Sequence, residues 1–597
     1  MLVELWGASN VLGLTLPGTP LGYIFLLIET VLLIGAIFLL SSIFSARFMQ
    51  KWQWTVSLSI AGLITSQLSP IFFSFTDQPL TPFSVFPLLL AAALLDPLSV
   101  VIVGLFTGLG MALGQTHTLF DLIHFAFTGL IAFSLMQQRY IGRVYQLMRQ
   151  PILTGGISMI AAAFLQGIGA FFNATPNAFL ARLDHALYQS QNAFYPFLAA
   201  GLIGGILLFA TLKGMPNLHP KQTLIPSPAR RSLRKQLITN FSAFSLFLTI
   251  LLVTVVFNLS VSVSRRLVLN QMAHNAAIAS AGIPAFQSEL EMLIEAFDPD
   301  QFQPGNEAAN LAGLEQIYKS SALFRRLMIV DNSQTIVAQY PPVESDAVQL
   351  SAEESDGVET AFSTSQKDIV TMKIERPDEV LSLVVPITNE QGDVVLVAVG
   401  RVTQLSIDNL IVGIQGVAAE SVGFIVNDEN LIIAHPEPSQ LRQVWMPAEN
   451  GRFLPTPTTN APSGAYQTYQ VETGTRQLIY YLQEATHDWT VVIDVPYAVV
   501  LDLSLQIGIP LLIILLVISG ASLMQLVTQS HGITEPIAEL VSAAKTMANG
   551  SNWKPAIHIH RDDEIGQLSQ AFSQMQRSMK KRLNELSLLL SVSHDVS

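Results

Sequence analysis

The sequence contains no cysteine and few charged side chains. None of its 597 residues is Cys, so neither disulfides nor thiolate metal sites can hold any part of it together. Only 13% of the residues are charged, and the mean hydropathy of +0.44 is too high for an ordinary soluble protein of this size. The apolar residues lie in blocks of about 20, the length of helix that crosses a bilayer. The composition therefore predicts a membrane protein with several spans.

Acidic residues are concentrated in the middle of the chain. Residues 1–264 carry 12 Lys and Arg against 6 Asp and Glu, residues 265–502 carry 12 against 31, and residues 503–597 carry 7 against 7. The middle block, with a net charge of −19, is therefore predicted to be an acidic soluble domain. Nothing in it suggests nucleic-acid binding.

Nine apolar runs predict transmembrane helices. They lie at 21–44, 54–75, 81–95, 97–115, 118–136, 152–172, 194–212, 236–259 and 505–527. The third run is short and is interrupted by Pro82 and Pro87, so its helix ends are not defined by the pattern. The first run is not a cleaved signal peptide, because no basic segment precedes it and no small-residue cleavage site follows it.

Basic residues near the ends of these runs predict the orientation of the chain. Eleven of them follow the first run or lie between the fifth and sixth or the seventh and eighth runs: Arg47, Lys51, Arg139, Arg143, Arg149, Lys213, Lys221, Arg230, Arg231, Arg234 and Lys235. The alternate loops hold only Arg182. Since positive charge collects on the cytoplasmic side, we expect a multi-pass protein of the cell (inner) membrane. Its N-terminus and residues 265–502 are then extracytoplasmic, and residues 531–597 are cytoplasmic.

The acidic block contains a repeated hairpin. Residues 327–341 form a pattern of strand, polar turn and strand, and residues 423–438 repeat it 96 residues later. Aligned positions are Ile329 with Ile425, Val330 with Val426, Ile336 with Ile432, and Ala338 with Ala434. A second pair of strands follows each copy, at 381–400 and 478–496, and residues 267–297 are predicted to continue the eighth span as a long helix.

Two such units led by one long helix resemble the double Cache domain of bacterial receptors, over about 230 residues. The resemblance implies two PAS-like antiparallel sheets, with a ligand pocket in the membrane-distal module at about 300–400. The expected fold class is therefore a multi-domain membrane protein. It combines an α-helical transmembrane bundle, an α+β extracytoplasmic double Cache domain and a cytoplasmic parallel coiled coil.

The distal module offers few candidates for binding a small molecule. Members of the family that bind amino acids carry an Arg-x-Trp-Tyr string there, whereas Trp445 and Trp489 of this sequence lie in the second copy. Amino-acid sensing is therefore not supported. His435 is interpreted as the end of a strand rather than a metal ligand, and no metal or cofactor is expected. The candidates for ligand contacts, each of which is more simply interpreted as a solvated surface residue, are Tyr340, Asp368 and Arg376.

The cytoplasmic end carries two heptad seams. Apolar residues are spaced 4-3-4-3 from Ile533 to Met547 and 3-4-3-4 from Ile565 to Met579, which is typical of a coiled coil. Gly550 ends the first helix, and the connector after it is long enough for the second helix to run parallel to the first. The residues that resemble the HAMP family, and to which the resemblance assigns signal relay, are Pro536, Gly550, Asp563, Glu564, Gly566 and Phe572. HAMP domains resemble parallel four-helix bundles made by two chains, so the resemblance also implies a homodimer.

The first seven spans are more than an anchor needs. Their Gly- and Ala-rich helices are predicted to pack closely, and they resemble the membrane sensor domains of some histidine kinases and, more distantly, vitamin-uptake substrate-binding subunits. Polar groups at membrane depth are functional candidates, and here these are Glu29, Asp121, His124 and Gln166. Asp121 and His124 share a helix face, which predicts a proton, metal or ligand site. The favoured alternative is a pair that only hydrogen-bonds neighbouring helices.

The sequence after the relay shows no catalytic motif. The second seam continues through Leu583, Leu586 and Leu590 with a stutter, and a helix of this kind resembles those that lead into output domains. His594-Asp595 resembles a histidine-kinase phosphoacceptor box or, as we prefer, the entry helix of a GAF domain. We therefore expect the input half of a receptor. Its output domain is expected to be a histidine kinase acting on a cytoplasmic response regulator, with a diguanylate cyclase or a phosphatase as the alternatives.

The expected order of parts is a membrane block at 1–235, a transmembrane helix at 236–264, the sensor at 265–502, a transmembrane helix at 503–530, the HAMP domain at 531–584 and a signalling helix at 585–597. Ligand binding in the sensor would then bias the packing of the HAMP bundle through the last span. The alternative is a transporter or solute-binding protein built on the first seven helices, with the rest regulatory.

Overall fold

The computed structural model describes most of the chain. The described residues are 14–44, 52–68, 70–71, 78–174, 178–215, 225–226, 233–295, 297, 301–342, 349–365, 368–371, 381–389, 391–412, 421–448, 451–456, 462–470, 474–484, 489–548 and 562–595.

A block of apolar helices forms the first part of the structure. Its helices are α1 (Pro20–Phe44), α2 (Trp52–Thr65), α3 (Phe86–Leu94), α4 (Pro97–Met111), α5 (Phe120–Met136), α6 (Arg143–Met148), α7 (Pro151–Asn173) and α8 (Phe179–Gly214). A π-helical turn, Ala112–Thr116, extends α4, and the short strands β1 (Tyr140–Ile141) and β2 (Ile225–Pro226) pair in parallel. Among the described residues, α1, α4 with its extension, α7 and α8 are long and apolar enough to cross a membrane, and α5 is a shorter apolar helix.

Two of the predicted spans contain less helix than expected. The helix in 54–75 ends at Thr65, and the helix in 81–95 is reduced to the nine residues of α3. Nine residues extend only about 14 Å, less than half of the hydrocarbon core. The physical reason lies in Pro82, which falls in a turn before α3, and Pro87, which is tolerated because it occupies the first helical turn.

Glycines allow the helices of the block to approach closely, as their abundance predicts. A Cβ on Gly155 of α7 would lie 2.2 Å from the carbonyl oxygen of Gly201 in α8, and one on Gly108 of α4 would lie 2.4 Å from the carbonyl oxygen of Asp121 in α5. At both crossings the backbones themselves are in contact. The core of this block is built mainly from Leu, Ala, Val and Phe.

Two long helices connect the block to the rest of the chain. Helix α9 (Leu233–Glu295) has 63 residues and is about 95 Å long. It therefore continues the eighth predicted span without a break. Its return partner, α13 (Tyr497–Ala548), has 52 residues. The Ser260 hydroxyl donates to the Ser504 carbonyl at 2.6 Å, and the hydroxyls of Thr249 and Ser519 are 2.6 Å apart, so the two helices pair along the membrane-spanning segment.

A first antiparallel sheet follows α9. Helix α10 (Glu307–Ser320) leads into β3 (Phe324–Val330) and β4 (Ile336–Tyr340), and α11 (Ala352–Thr364) precedes β5 (Asp368–Thr371), β6 (Leu381–Thr388) and β7 (Val394–Val402). The strand order is β4-β3-β7-β6-β5. One face of the sheet packs against α9 and α10, and α11 covers the other with Val358 and Ala361.

A second antiparallel sheet follows α12 (Gln404–Ile411). Its strands are β8 (Val422–Val426), β9 (Ile432–Ala434), β10 (Arg452–Leu454), β11 (Ser463–Gln470), β12 (Thr475–Gln483) and β13 (Thr490–Pro496), in the order β10-β11-β12-β13-β8-β9. Helix α9 packs against β12 and β13. The second sheet is therefore the one from which the chain returns to the membrane, since α13 begins at the residue directly after β13.

The two sheets contain the same hairpin, as the 96-residue repeat predicts. Ile329 pairs with Ala338 and Ile425 with Ala434, and a register shift follows at the same position in both copies. The turns match as well, because Gln334 and Asn430 both adopt positive φ, at 59° and 63°. The Oδ1 atom of the first turn residue, Asp331 or Asn427, accepts a backbone N–H four residues later in each copy. The duplication therefore extends to the turn chemistry.

The last described element is α14 (Glu564–Asp595), which packs against the end of α13. The connector between them, including Gly550, lies outside the described residues. Both predicted heptad seams fall within these two helices. The first seam has no separate helix of its own, because α13 runs without interruption from the second sheet through the last span and past Pro536.

Candidate sensing and relay sites

The structure does not bring the three predicted ligand contacts together. Tyr340 lies in β4 and Asp368 begins β5, and these are the two edge strands of the first sheet. Four strand spacings, about 19 Å, separate the edges. Tyr340 is half-buried and its hydroxyl lies 3.5 Å from Oε1 of Glu315, while Arg376 falls outside the described residues. A single site that contains both Tyr340 and Asp368 is therefore not formed.

A buried ion pair lies between α11 and the first sheet instead. Nε and Nη2 of Arg401 in β7 donate to the two oxygens of Glu354 in α11, at 2.9 and 2.7 Å, and both side chains are 0% exposed. The hydroxyl of Ser382 and the backbone N–H of Ser351 also donate to this carboxylate, at 2.6 and 2.8 Å. Burial raises the pKa of Glu354, but the hydrogen bonds and charge of Arg401 outweigh it, and the net pKa lies below its usual value.

Sequence analysis did not predict this pair, because no periodicity or motif connects Glu354 with Arg401. One local signal was present: Ser351 and Glu354 have the spacing of a capping box, which the structure forms at the start of α11. The cap places the Glu354 carboxylate at the end of α11 that faces Ser382 and Arg401. The polar groups between α11 and the first sheet therefore form hydrogen bonds with one another.

The predicted polar residues of the membrane block do meet. Nε2 of His124 in α5 lies 3.1 Å from Oε1 of Glu29 in α1, and both residues are buried. Asp121, one turn earlier in α5, accepts a hydrogen bond from the hydroxyl of Thr116. A cavity of about 260 Å³ opens beside them, and its lining includes Asp121, His124 and Gln166. The structure therefore joins the predicted cluster to a space that a small molecule can occupy.

The membrane block is also docked onto the second sheet. Nε of Arg476 in β12 donates to both oxygens of Asp184 in α8, at 2.9 and 3.1 Å, and both residues are buried. The same guanidinium lies 3.9 Å from the ring centroid of Tyr497, the first residue of α13. One arginine thus contacts the block, the sheet and the start of the helix that leads to the cytoplasm.

Aromatic residues extend this contact between α8 and the second sheet, which we call the dock. The Tyr469 hydroxyl in β11 lies 2.7 Å from Nδ1 of His185, and its ring stacks on Tyr188 with centroids 4.4 Å apart. The apolar pattern predicts the seventh span at 194–212 and assigns no role to the residues before it. In the structure, α8 begins at Phe179 and its first turns form the dock. The available signal was the polar sequence Asp184-His185 at the start of an otherwise apolar helix.

The relay residues lie in or beside α13 and α14. Asp563 precedes α14 and its Oδ1 accepts the backbone N–H of Gly566 at 3.1 Å, which caps the helix that Glu564 begins. Phe572 is half-buried in α14, and Pro536 lies inside α13. The cap explains the acidic residues before the second seam.

Much of the heptad seam is uncovered in a single chain. Leu540 is buried, but five other seam residues have between 41% and 55% of their surface exposed: Ile533, Leu568, Met575, Met579 and Leu586. Exposed apolar residues at heptad spacing are those that a coiled-coil partner covers.

Comparisons with known proteins match two parts of the chain. Residues 529–581 match the family model of the HAMP domain. Among solved structures, the chain is similar to the ligand-binding domain of the amino acid chemoreceptor PctB of Pseudomonas aeruginosa PAO1 in complex with L-Arg, at 15% identity over 38% of this chain and 87% of that chain, with a TM-score of 0.30.

Two further solved structures are similar at the same level. The ligand-binding domain of the Pseudomonas fluorescens chemoreceptor CtaA with L-serine is 14% identical over 39% of this chain and 98% of that chain, with a TM-score of 0.30. The ligand-binding domain of Mlp24 with asparagine is 14% identical over 41% of this chain and 98% of that chain, with a TM-score of 0.33. No curated protein matches the chain.

The HAMP match confirms the relay predicted from the two heptad seams and the Asp563-Glu564-Ile565-Gly566 sequence. Six described helices with the length and composition of membrane spans, and two sheets led by a long helix, confirm the predicted multi-domain membrane architecture. The chain is a multi-pass transmembrane receptor in which one helix joins the sensing domain to a HAMP domain.

Proposed function

We propose that this receptor is the input part of a homodimeric sensor histidine kinase. In this proposal the two sheets form a double Cache domain, which binds a small molecule outside the inner membrane. The HAMP domain passes the signal to a cytoplasmic kinase, and the kinase acts on a response regulator. The observation that carries the proposal is the continuity of α13. Since α13 starts at the residue after β13 and extends to Ala548, a displacement of the second sheet is transmitted to the HAMP helices through one continuous helix.

The proposal is tested by fusing residues 1–583 to a histidine kinase of known activity. One residue inserted between Thr528 and Gln529 rotates the HAMP helix by about 100° against the span, while seven residues rotate it by only about 20° in the opposite sense. We expect the single insertion to change kinase output several-fold and the seven-residue insertion to leave it close to the parent fusion. Equal output from all three fusions would contradict transmission through α13.

The exposed seam supports a homodimer, and the absence of cysteine makes the test direct. Met575→Cys places a single thiol on the seam, and Gln567→Cys places one at an exposed position of the same helix outside the seam. In membranes treated with a mild oxidant, we expect the first variant to form a covalent dimer and the second to remain monomeric. Equal yields from the two variants would contradict a dimer through these helices.

The runner-up function, transport by the membrane block of residues 1–235, has the cavity beside Asp121 in its favour. The dock between α8 and β12 favours a second sensory input over an independent transporter, because it ties the block to the sheet from which α13 departs. Uptake of a solute by residues 1–235 alone would support the transporter and count against this assignment.

A further inference from the structure

The cavity in the membrane block lies at the end that faces the sheets. It is bounded by residues from the outer ends of α5, α7 and α8 and from the π-helical turn. Six of the polar residues that line it are Gln115, Asp121, His124, Gln166, His185 and Gln189. Its volume of about 260 Å³ is close to the lower end of small-molecule sites.

Buried polar atoms around this cavity lack hydrogen-bond partners. These atoms are Nδ1 of His124, Oε2 of Glu29 and Oε1 of Gln166, and His124 and Glu29 are only 2% and 4% exposed. Each buried atom without a hydrogen bond costs about 1–3 kcal/mol. His124 and Gln166 line the cavity, so a bound molecule with hydrogen-bonding groups can satisfy them.

The charge of the residues that line the cavity indicates which kind of ligand it binds. Asp121 supplies a carboxylate, and the described residues of the lining include no Lys or Arg. Because His124 is paired with Glu29, the cluster formed by these three side chains carries a net negative charge beside the cavity. The amide oxygens of Gln115, Gln166 and Gln189 add acceptors for N–H groups.

We propose that this cavity is a second ligand site of the receptor and that it binds a small organic amine as its ammonium ion. The ammonium group is held by the Asp121 carboxylate, and the remainder of the molecule lies among the Gln side chains. His185 links this site to the dock, since it lines the cavity and also contacts Tyr469 of the second sheet. Occupancy is thereby coupled to the sheet that precedes α13, independently of any ligand bound between the sheets.

The test uses the whole chain in lipid nanodiscs and follows its thermal melting. The probes are ethanolamine and 1,4-diaminobutane, with ethylene glycol and 1,4-butanediol as their uncharged counterparts. We expect at least one amine to raise the melting temperature in a saturable manner, and both diols to leave it unchanged. No shift with either amine, or an equal shift with the matching diol, would overturn the proposal.

Asp121→Asn keeps the size of the side chain and removes its charge, and we expect it to weaken amine binding at least tenfold. Asp428→Asn, which changes an exposed carboxylate in the β8–β9 turn, is the matched control and should bind as the parent chain does.

If Asp121→Asn does not fold, Ala170→Met fills the cavity without changing its charge and should also abolish binding. Parent-like binding by a folded Asp121→Asn or Ala170→Met variant overturns the proposal. This measurement needs no output domain, so its failure is distinct from a failure of the proposed kinase.

Discussion

The side chains of Glu354 and Arg401 carry opposite charges in a place that water does not reach. Such a pair is costly to break, because removing one partner leaves the other charge buried and uncompensated. It contributes little beyond a well-packed apolar pair, since both ions lose their hydration. Its effect is to fix α11 against β7 in one position.

Glu354→Gln should therefore destabilise the protein by about 3–5 kcal/mol, measured as the free energy of unfolding in detergent. Glu359→Gln changes an exposed carboxylate of the same helix and should have almost no effect. The double variant Glu354→Leu with Arg401→Met should recover most of the loss. A Glu354→Gln variant as stable as Glu359→Gln would show that the ion pair is not formed.

Asp494 of β13 is half-buried, and its Oδ1 atom is buried without a hydrogen-bond donor. Burial raises its pKa from an ordinary value of 3.8 to about 7. The folded protein thus keeps the proton up to about pH 7, whereas the unfolded chain releases it near pH 4. Stability is therefore greatest at low pH and is lost as the pH rises through the folded pKa.

We expect the free energy of unfolding to fall by about 2–3 kcal/mol between pH 5 and pH 7 because of this group. Asp494→Asn should flatten the pH dependence over that interval. The fluorescence of Trp489, which is buried at the residue directly before β13, reports the unfolding. Parallel curves for the parent and Asp494→Asn would contradict a raised pKa.

Sequence patterns could not reveal these residues. Glu354 and Arg401 are 47 residues apart, and Asp184 and Arg476 are 292 apart. No periodicity connects them, and each alone has the appearance of a surface charge. Glu29 and His124 were found although they are 95 residues apart, because a polar group in an apolar helix is conspicuous by itself.

Helices and strands were more accessible to prediction than side-chain pairs. The repeated hairpin followed from apolar residues spaced alike in both copies, and its bulge and left-handed turn residue recur at the same offset of 96 residues. Heptad spacing located the HAMP helices for the same reason. The sequence indicated that the third run is short and interrupted by Pro82 and Pro87, but apolar composition could not locate the ends of α3, which begins at Phe86 after a turn that contains Pro82.

The cap of α14 gives a test at the level of this helix. Asp563→Ala removes the acceptor for the Gly566 N–H, which should cost about 1 kcal/mol. Amide hydrogen exchange in the first turn of α14 should then be about fivefold faster. Asp562→Ala alters the adjacent exposed carboxylate and should leave the exchange rates unchanged. Faster exchange in both variants, or in neither, would contradict the cap.

Three parts of the molecule meet at Arg476. The block contributes Asp184, the second sheet contributes the arginine and the start of α13 contributes Tyr497. A change in the block or in the sheet therefore reaches the same point before it enters α13. The membrane block is thereby in direct contact with the sheet from which α13 departs.

Arg476→Met leaves the Asp184 carboxylate buried without its cation, and we expect a loss of about 3–5 kcal/mol in the stability of the full chain. Asp184→Leu combined with Arg476→Met should restore much of it, so that the two single effects do not add. Arg452→Met, at an exposed position of β10 in the same sheet, is the control and should be nearly neutral. If the stability losses of the single variants Asp184→Leu and Arg476→Met were additive in the double variant, the dock would be absent in solution.

The dock also determines how the sensing domain can be prepared for study in isolation. A recombinant fragment cut at the membrane surface, for example residues 265–502, would expose Tyr469 to water and leave Arg476 without its carboxylate partner on α8. Such a fragment would lack the contacts with α8 and would expose the side chains that normally make them. Adding a synthetic peptide of residues 179–193, or fusing it to the fragment, should restore the missing surface, and ligand screens on the soluble domain should include it.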